Sequence, residues 1–232
     1  MTALVRMRLA GFLTSGRVLP PLIAGLVVLG VIYGGGPALA GSAFGYSAVM
    51  LFPVLAWQSK LLLDTEPDGQ RRLARLAVGA RREAIAGALA AIVFGLGICA
   101  VAMLAPWPFH AIRWPAPGSG EPSMAAGIGL GVLAHLLALP AGVALGALAS
   151  RAVTRSVRNG IAVLVVGAVL VVVLGLKSSL APWLVPPVMA TARALTAKSL
   201  PSAGTFWLLA GWAVLWCAVA FAGYGWLRRR RS

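Results

Sequence analysis

Long apolar runs alternate along the chain with short polar segments, and the length of the runs predicts helices that cross a membrane. A spanning helix needs about 20 mainly apolar residues to cover a hydrocarbon core of about 30 Å. Six such runs are placed at residues 18–33, 43–63, 83–104, 124–149, 160–176 and 204–227. Two stretches carry helical periodicity instead of uniform hydrophobicity. In residues 1–17, Leu4, Val5, Leu9, Phe12 and Leu13 alternate with Arg6, Arg8 and Arg17. This suits a helix in the interface plane, and equally a frayed start to the first span. Pro20 and Pro21 mark a bend or a first helical turn.

The second periodic stretch lies between the second and third spans. Asp64-Thr65-Glu66-Pro67-Asp68 reads as a helix start, with a capping side chain at Asp64 or Thr65, an early proline and acids near the positive end of the dipole. Arg71, Arg72 and Arg75 follow toward the negative end, Leu73, Leu76, Ala77 and Val78 form an apolar face, and Gly79 is a stop signal. The expectation is a short amphipathic helix on the membrane surface, with a solvated loop as the alternative. Residues 177–201 are apolar but interrupted by Pro182, Pro186 and Pro187 around Trp183. They predict a short helix that dips into or lies on one leaflet. Residues 106–122 form a Pro/Trp/Gly loop in which Trp107 and Trp114 suit the membrane–water interface.

The fold class expected is therefore all-α: a six-span polytopic protein with an amphipathic segment at 1–17, a transmembrane domain at 18–232 and no room for a soluble domain. Composition agrees, since 60% of residues are hydrophobic and 11% charged, against about a quarter charged in soluble domains. Mean hydropathy is +0.91.

Charge sets the orientation. Sixteen of 20 Lys and Arg residues fall in four clusters: Arg6, Arg8 and Arg17; Lys60, Arg71, Arg72, Arg75, Arg81 and Arg82; Arg151, Arg155 and Arg158; and Arg228, Arg229, Arg230 and Arg231. The remaining loops hold only Arg113, or Lys177, Arg193 and Lys198. Short loops rich in Lys and Arg stay in the cytoplasm, so both termini are expected inside. A net charge of +15 could suggest nucleic acid. These charges sit at the ends of apolar spans, where they meet anionic lipid headgroups instead, and no nucleic-acid partner is expected. Arg6, Arg8 and Arg17 before an apolar run and Ala38-Leu39-Ala40 imitate a cleaved signal, but 40 residues is long for one. The segment is expected to be retained.

Candidate chemistry is sparse. Cys99 and Cys217 lie within spans and read as small buried hydrophobes. His135 is the one imidazole within a predicted span, and without a neighbouring acid its expected role is a hydrogen bond between helices. His110 belongs to the interfacial loop. The run from Asp68 to Arg75 faintly resembles the CDP-alcohol phosphatidyltransferase signature, but Ala74-Arg75 comes two residues late and no aspartate follows Asp68. Divalent metals would lack ligands there. No phosphate-binding loop or zinc motif occurs, and the acids avoid the span interiors, so no enzyme activity and no cofactor are expected. Gly87, Gly95 and Gly97, and Gly127, Gly129 and Gly131, offer close helix approach.

The basic N-terminal segment, six spans, charged helix and Pro-Trp segment before the last span together resemble the membrane subunit of ABC-2 type transporters, closest to the compact actinobacterial permeases. The resemblance implies a permease subunit of an ATP-driven exporter in a bacterial plasma membrane. It also implies a separate cytoplasmic ATP-binding subunit that uses the ATP, and a homodimer or heterodimer of permease subunits. On this likeness Asp64, Glu66, Arg71, Arg72 and Arg75 belong to the coupling helix that docks on the ATPase. Arg6, Arg8 and Arg17 mark the interfacial helix, and Pro182, Trp183, Pro186 and Pro187 the outer re-entrant segment. The alternative is a non-transporting scaffold that recruits a cytoplasmic partner.

Overall fold

The computed structural model describes residues 1–197 and 200–231; Lys198, one of the sparse outer charges, lies outside the described residues. The chain is helical almost throughout: α1 (Thr2–Thr14), α2 (Leu19–Tyr33), α3 (Ala40–Leu63), α4 (Asp68–Val78), α5 (Ala80–Leu104), α6 (Met124–Leu148), α7 (Arg151–Thr154), α8 (Val157–Leu174), α9 (Val188–Thr196) and α10 (Ala203–Arg231). Among the described residues five helical segments are long and apolar enough to cross a membrane: α3, α5, α6 continued through α7, α8 and α10. The α1–α2 pair, bent by 78°, makes a sixth if it counts as one span. By itself α2 has 15 residues, about 22 Å of helix, shorter than a hydrocarbon core of about 30 Å. The first predicted span thus has the expected bounds but depends on α1 to pass the length criterion.

α3 is the central post. Its most extensive contact is with α6, and α2, α5, α8 and α9 pack around it. Small residues make the α3–α6 approach possible. A Cβ on Gly131 would stand 2.5 Å from Phe44 Cβ, and one on Gly146 would stand 2.4 Å from the Ala56 carbonyl. Gly127 is also tight, a Cβ there standing 2.9 Å from Ala40 Cβ, as expected of small residues at a membrane helix interface. Gly97 and Gly129 face open space, so they do not have the packing role their spacing suggested. Along the same seam His135 Nδ1 donates to the Gly131 carbonyl at 2.8 Å, and Nε2 lies 3.2 Å from Ser47 Oγ on α3. This is the helix-to-helix bond expected of a lone buried imidazole.

One end of the bundle gathers the basic clusters, and the other is built from apolar turns. At that second end the chain makes one parallel two-residue pairing, β1 (Ala38–Leu39) with β2 (Ile112–Arg113), which no periodicity announced. Arg113 grips Glu121 through both terminal nitrogens at 3.0 and 2.5 Å. That guanidinium, with the Ala116 N–H, holds the carboxyl down at about 2. The clasp is present at neutral pH and is lost only as pH falls through that value. Trp107 and Trp114 are exposed beside it.

The Pro-rich segment folds as a 3-10 turn, Pro182–Leu184, followed by α9. Pro186 and Pro187 are buried and Trp183 is exposed. With nine residues α9 is too short to span. It buries Thr191, Ala192 and Leu195 against α3 and α6. Arg193 Nη1 donates to the Gly175 carbonyl at the end of α8 at 2.5 Å, the position where a cation meets the negative end of a helix dipole.

Candidate functional site

The described charges converge in numbers at the basic end. Its first centre is Asp64, at the C-cap of α3. One carboxylate oxygen accepts from Lys60 Nζ at 2.8 Å, one turn back, and the other from the Arg151 backbone N–H at 2.8 Å. Asp64 therefore holds the first backbone N–H of α7 from a distant part of the chain. The last carbonyls around α3 lack intrahelical partners and are met by cations. Arg71 donates to Leu63 O at 2.8 Å, Arg151 to Asp64 O at 2.7 Å and Arg17 to Asp64 O at 3.1 Å.

This arrangement corrects the expected helix start. α4 begins at Asp68 with Pro67 in the cap position and no side-chain cap. Asp64 is already engaged by Lys60 and Arg151, and Thr65 Oγ1 donates back to Leu61 O. The helix itself, its proline entry and its stop at Gly79 are as expected, and the solvated-loop alternative is ruled out.

The second centre is Glu83, in the first turn of α5 and 1% exposed. Arg8 of α1 reaches it at 2.5 Å, Arg228 of α10 bonds its other oxygen, and Arg75 of α4 stands 3.6 Å away. Arg8 also forms a fork on Glu66 at 2.9 and 2.6 Å. Space for its guanidinium comes from Gly87, where a Cβ would stand 2.2 Å from Arg8 Nη1. Arg228 donates further to Tyr224 Oη at 2.9 Å. One carboxylate thus joins four helices. Buried charges are sustained only when paired, so these contacts lock α1, α4, α5 and α10 at fixed distances.

Pairing decides how α4 faces outward. Arg71 is buried, and Arg75 turns in toward Glu83. Arg72 alone of its three arginines is exposed. The apolar positions point away from the protein, with Leu73 67% and Leu76 85% exposed, Val78 beside them and Ala77 also exposed. The helix is amphipathic as expected but inverted, with its charges toward the body and its apolar strip outward. Of the other predicted residues, Arg6 and Arg17 are exposed while Arg8 is buried within the ion network. Val5, Leu9 and Phe12 accompany Arg8 on the inward side of α1, and Phe12 stacks edge-on against Phe94 of α5 at 5.1 Å.

Lys60, Arg151 and Arg228 were legible only as orienting charges, and Glu83 only as an acid at the end of a predicted span. The useful signal was Glu83 itself, a carboxylate at the mouth of an apolar span, since ionisable residues at such positions need partners. Gln58 was also missed. Fully buried on α3, it donates to the Ala91 carbonyl of α5 at 3.2 Å, and its Oε1 has no partner among the described residues. Among the described residues no three His, Cys, Asp or Glu side chains approach as a metal-holding group.

Gly79 joins α4 to α5 with φ 86°, a conformation natural to glycine. A Cβ there meets no neighbour, so its cost is backbone strain alone. Gly79→Ala is expected to lower stability by about 1–3 kcal/mol, the cost of holding a side chain in this glycine-only region (φ 86°, ψ 149°), read by reversible unfolding in mixed micelles. A value equal to wild type would mean that the junction does not hold this conformation.

Comparison of the chain with protein-family models, with curated proteins and with solved structures finds no match. What stands is the class: an all-helical protein with five or six apolar candidate spans, tied at one end by a buried ion network.

Proposed function

We propose that the chain is the transmembrane permease subunit of an ATP-driven exporter of ABC-2 type, working with a separate ATP-binding subunit and a second permease subunit. In this reading the basic end faces the cytoplasm, in keeping with the positive-inside rule, and there are six spans with α1–α2 as the first.

The observation that carries it is α4. Its exposed Leu73, Leu76, Ala77 and Val78 form an apolar strip on a short helix, the form in which a helix fits a groove on a partner. The same helix is anchored from behind, through Arg75 to Glu83 and through Arg71 to the end of α3. A push on α4 therefore reaches α3, α5, α1 and α10 through paired charges rather than through a loose loop. Asp64 and Glu66 serve as anchors of the junction, and Arg72 supplies the exposed charge at the contact. The outer segment around Pro182, Trp183, Pro186 and Pro187 would be the pathway's external gate.

The test is mild-detergent purification from the native host. Expected is stoichiometric co-elution of a soluble subunit with a phosphate-binding loop, whose ATP hydrolysis rises when the two are reconstituted. A partner that binds without any change in ATP hydrolysis would favour a scaffold.

A further inference from the structure

Beside the ion network α5 and α10 are separated by an open groove of about 770 Å³, and its composition changes along its length. Its deep part is walled by Ile85, Ala88, Leu89, Ile92 and Phe221, and its mouth by Arg75, Arg81, Arg228 and Arg229. We propose that this groove holds an anionic phospholipid, with one acyl chain along α5 and the phosphate among the arginines.

Three observations point to that occupant. From Arg81 to Ile92 along α5 is eleven residues, roughly 16–17 Å of helix, and one leaflet contributes about half of a 30 Å core. The groove thus has the depth of a single leaflet. Next, the charge at its mouth is unbalanced. Arg8, Arg75 and Arg228 share the two carboxylates of Glu66 and Glu83, and Arg81 is exposed without an ion pair among the described residues. Finally, Arg228 is 7% exposed, and its buried Nε–H has no hydrogen-bond partner among the described residues.

Basic pockets between spanning helices suit anionic headgroups. A second copy of this chain suits the site poorly, because it would bring another net charge of +15 toward the same mouth. Trp226, stacked under Arg230 at 4.0 Å, sits one turn along α10 as an interface anchor. The inference needs only a bilayer around the spans and is independent of transport.

The experiment is native mass spectrometry of the full chain released from bilayers of mixed phosphatidylcholine and phosphatidylglycerol. Wild type is expected to retain one phosphatidylglycerol in preference to phosphatidylcholine. Arg81→Gln should weaken retention about fivefold and Arg81→Gln with Arg229→Gln about 25-fold, following the worth of one basic residue near an anionic surface. Ala88→Trp, which fills the floor, should remove retention of both lipids while the melting temperature of the Gln variants stays that of wild type. Equal retention of the two lipids, an unchanged Arg81→Gln variant, displacement of the lipid by inorganic phosphate alone, or release of paired chains without lipid would each overturn the proposal.

Discussion

Glu83→Gln is expected to be the most destabilising single polar substitution in the chain, by about 3–5 kcal/mol. The change removes one charge and almost no volume, so packing is preserved. What is lost is the counter-charge for Arg8 and Arg228, both buried, and for Arg75. A buried guanidinium left without its carboxylate bears a desolvation cost with nothing to offset it. Replacing both partners is gentler than removing one. Glu83→Gln with Arg228→Met should therefore recover part of the loss, although Arg8 keeps only Glu66. Reversible unfolding in mixed micelles gives both numbers. A loss below about 1 kcal/mol for Glu83→Gln would mean that the cluster is solvated and weak, in the range of surface pairs.

Leu76→Asp is expected to leave stability unchanged and to weaken binding of the ATP-binding subunit about 100-fold. Leu76 is 85% exposed, so the folded chain bears no burial penalty from a new carboxylate. In the proposed complex the same position sits at the centre of a helix seated in a groove, where a single anchor is worth about 2–4 kcal/mol. ATP hydrolysis measured with the reconstituted pair should fall to the rate of the isolated subunit. Arg71→Glu offers the contrast. Arg71 supports the end of α3 from inside, so its reversal should lower melting temperature before it affects docking. If Leu76→Asp binds as wild type while Arg72→Glu does not, the contact is electrostatic and the apolar strip faces lipid.

The expected and observed helices agree closely because their signal is local. Apolar runs predicted starts at 43, 83, 124, 160 and 204, and the helices begin at Ala40, Ala80, Met124, Val157 and Ala203. The extra turns before α3, α5 and α8 were hidden because they contain Gly41, Arg81, Arg82 and Arg158, residues that dilute hydropathy without preventing a helix. α4 was legible as an element, including its exit at Gly79. Its facing was not, because amphipathicity identifies two sides of a helix and says nothing about which one a neighbour will claim.

Hydrophobic runs, their lengths and the four basic clusters were enough, read from the chain alone, to determine an all-helical class, the approximate bounds of the long apolar helices and the grouping of charge at one end of the bundle. Each of these follows from sums over adjacent residues, and burial of apolar length is nearly additive along a helix. Only the tertiary structure decided which charges are partners. Arg8 meets Glu66 across 58 residues, the same Arg8 meets Glu83 across 75, and Arg228 meets Glu83 across 145. In a chain with 20 basic and five acidic residues, charge alone allows many pairings. Selection comes from geometry: Gly87 opens room for one guanidinium, the end of α3 presents unmet carbonyls to three others, and the cost of burying an unpaired charge excludes the alternatives.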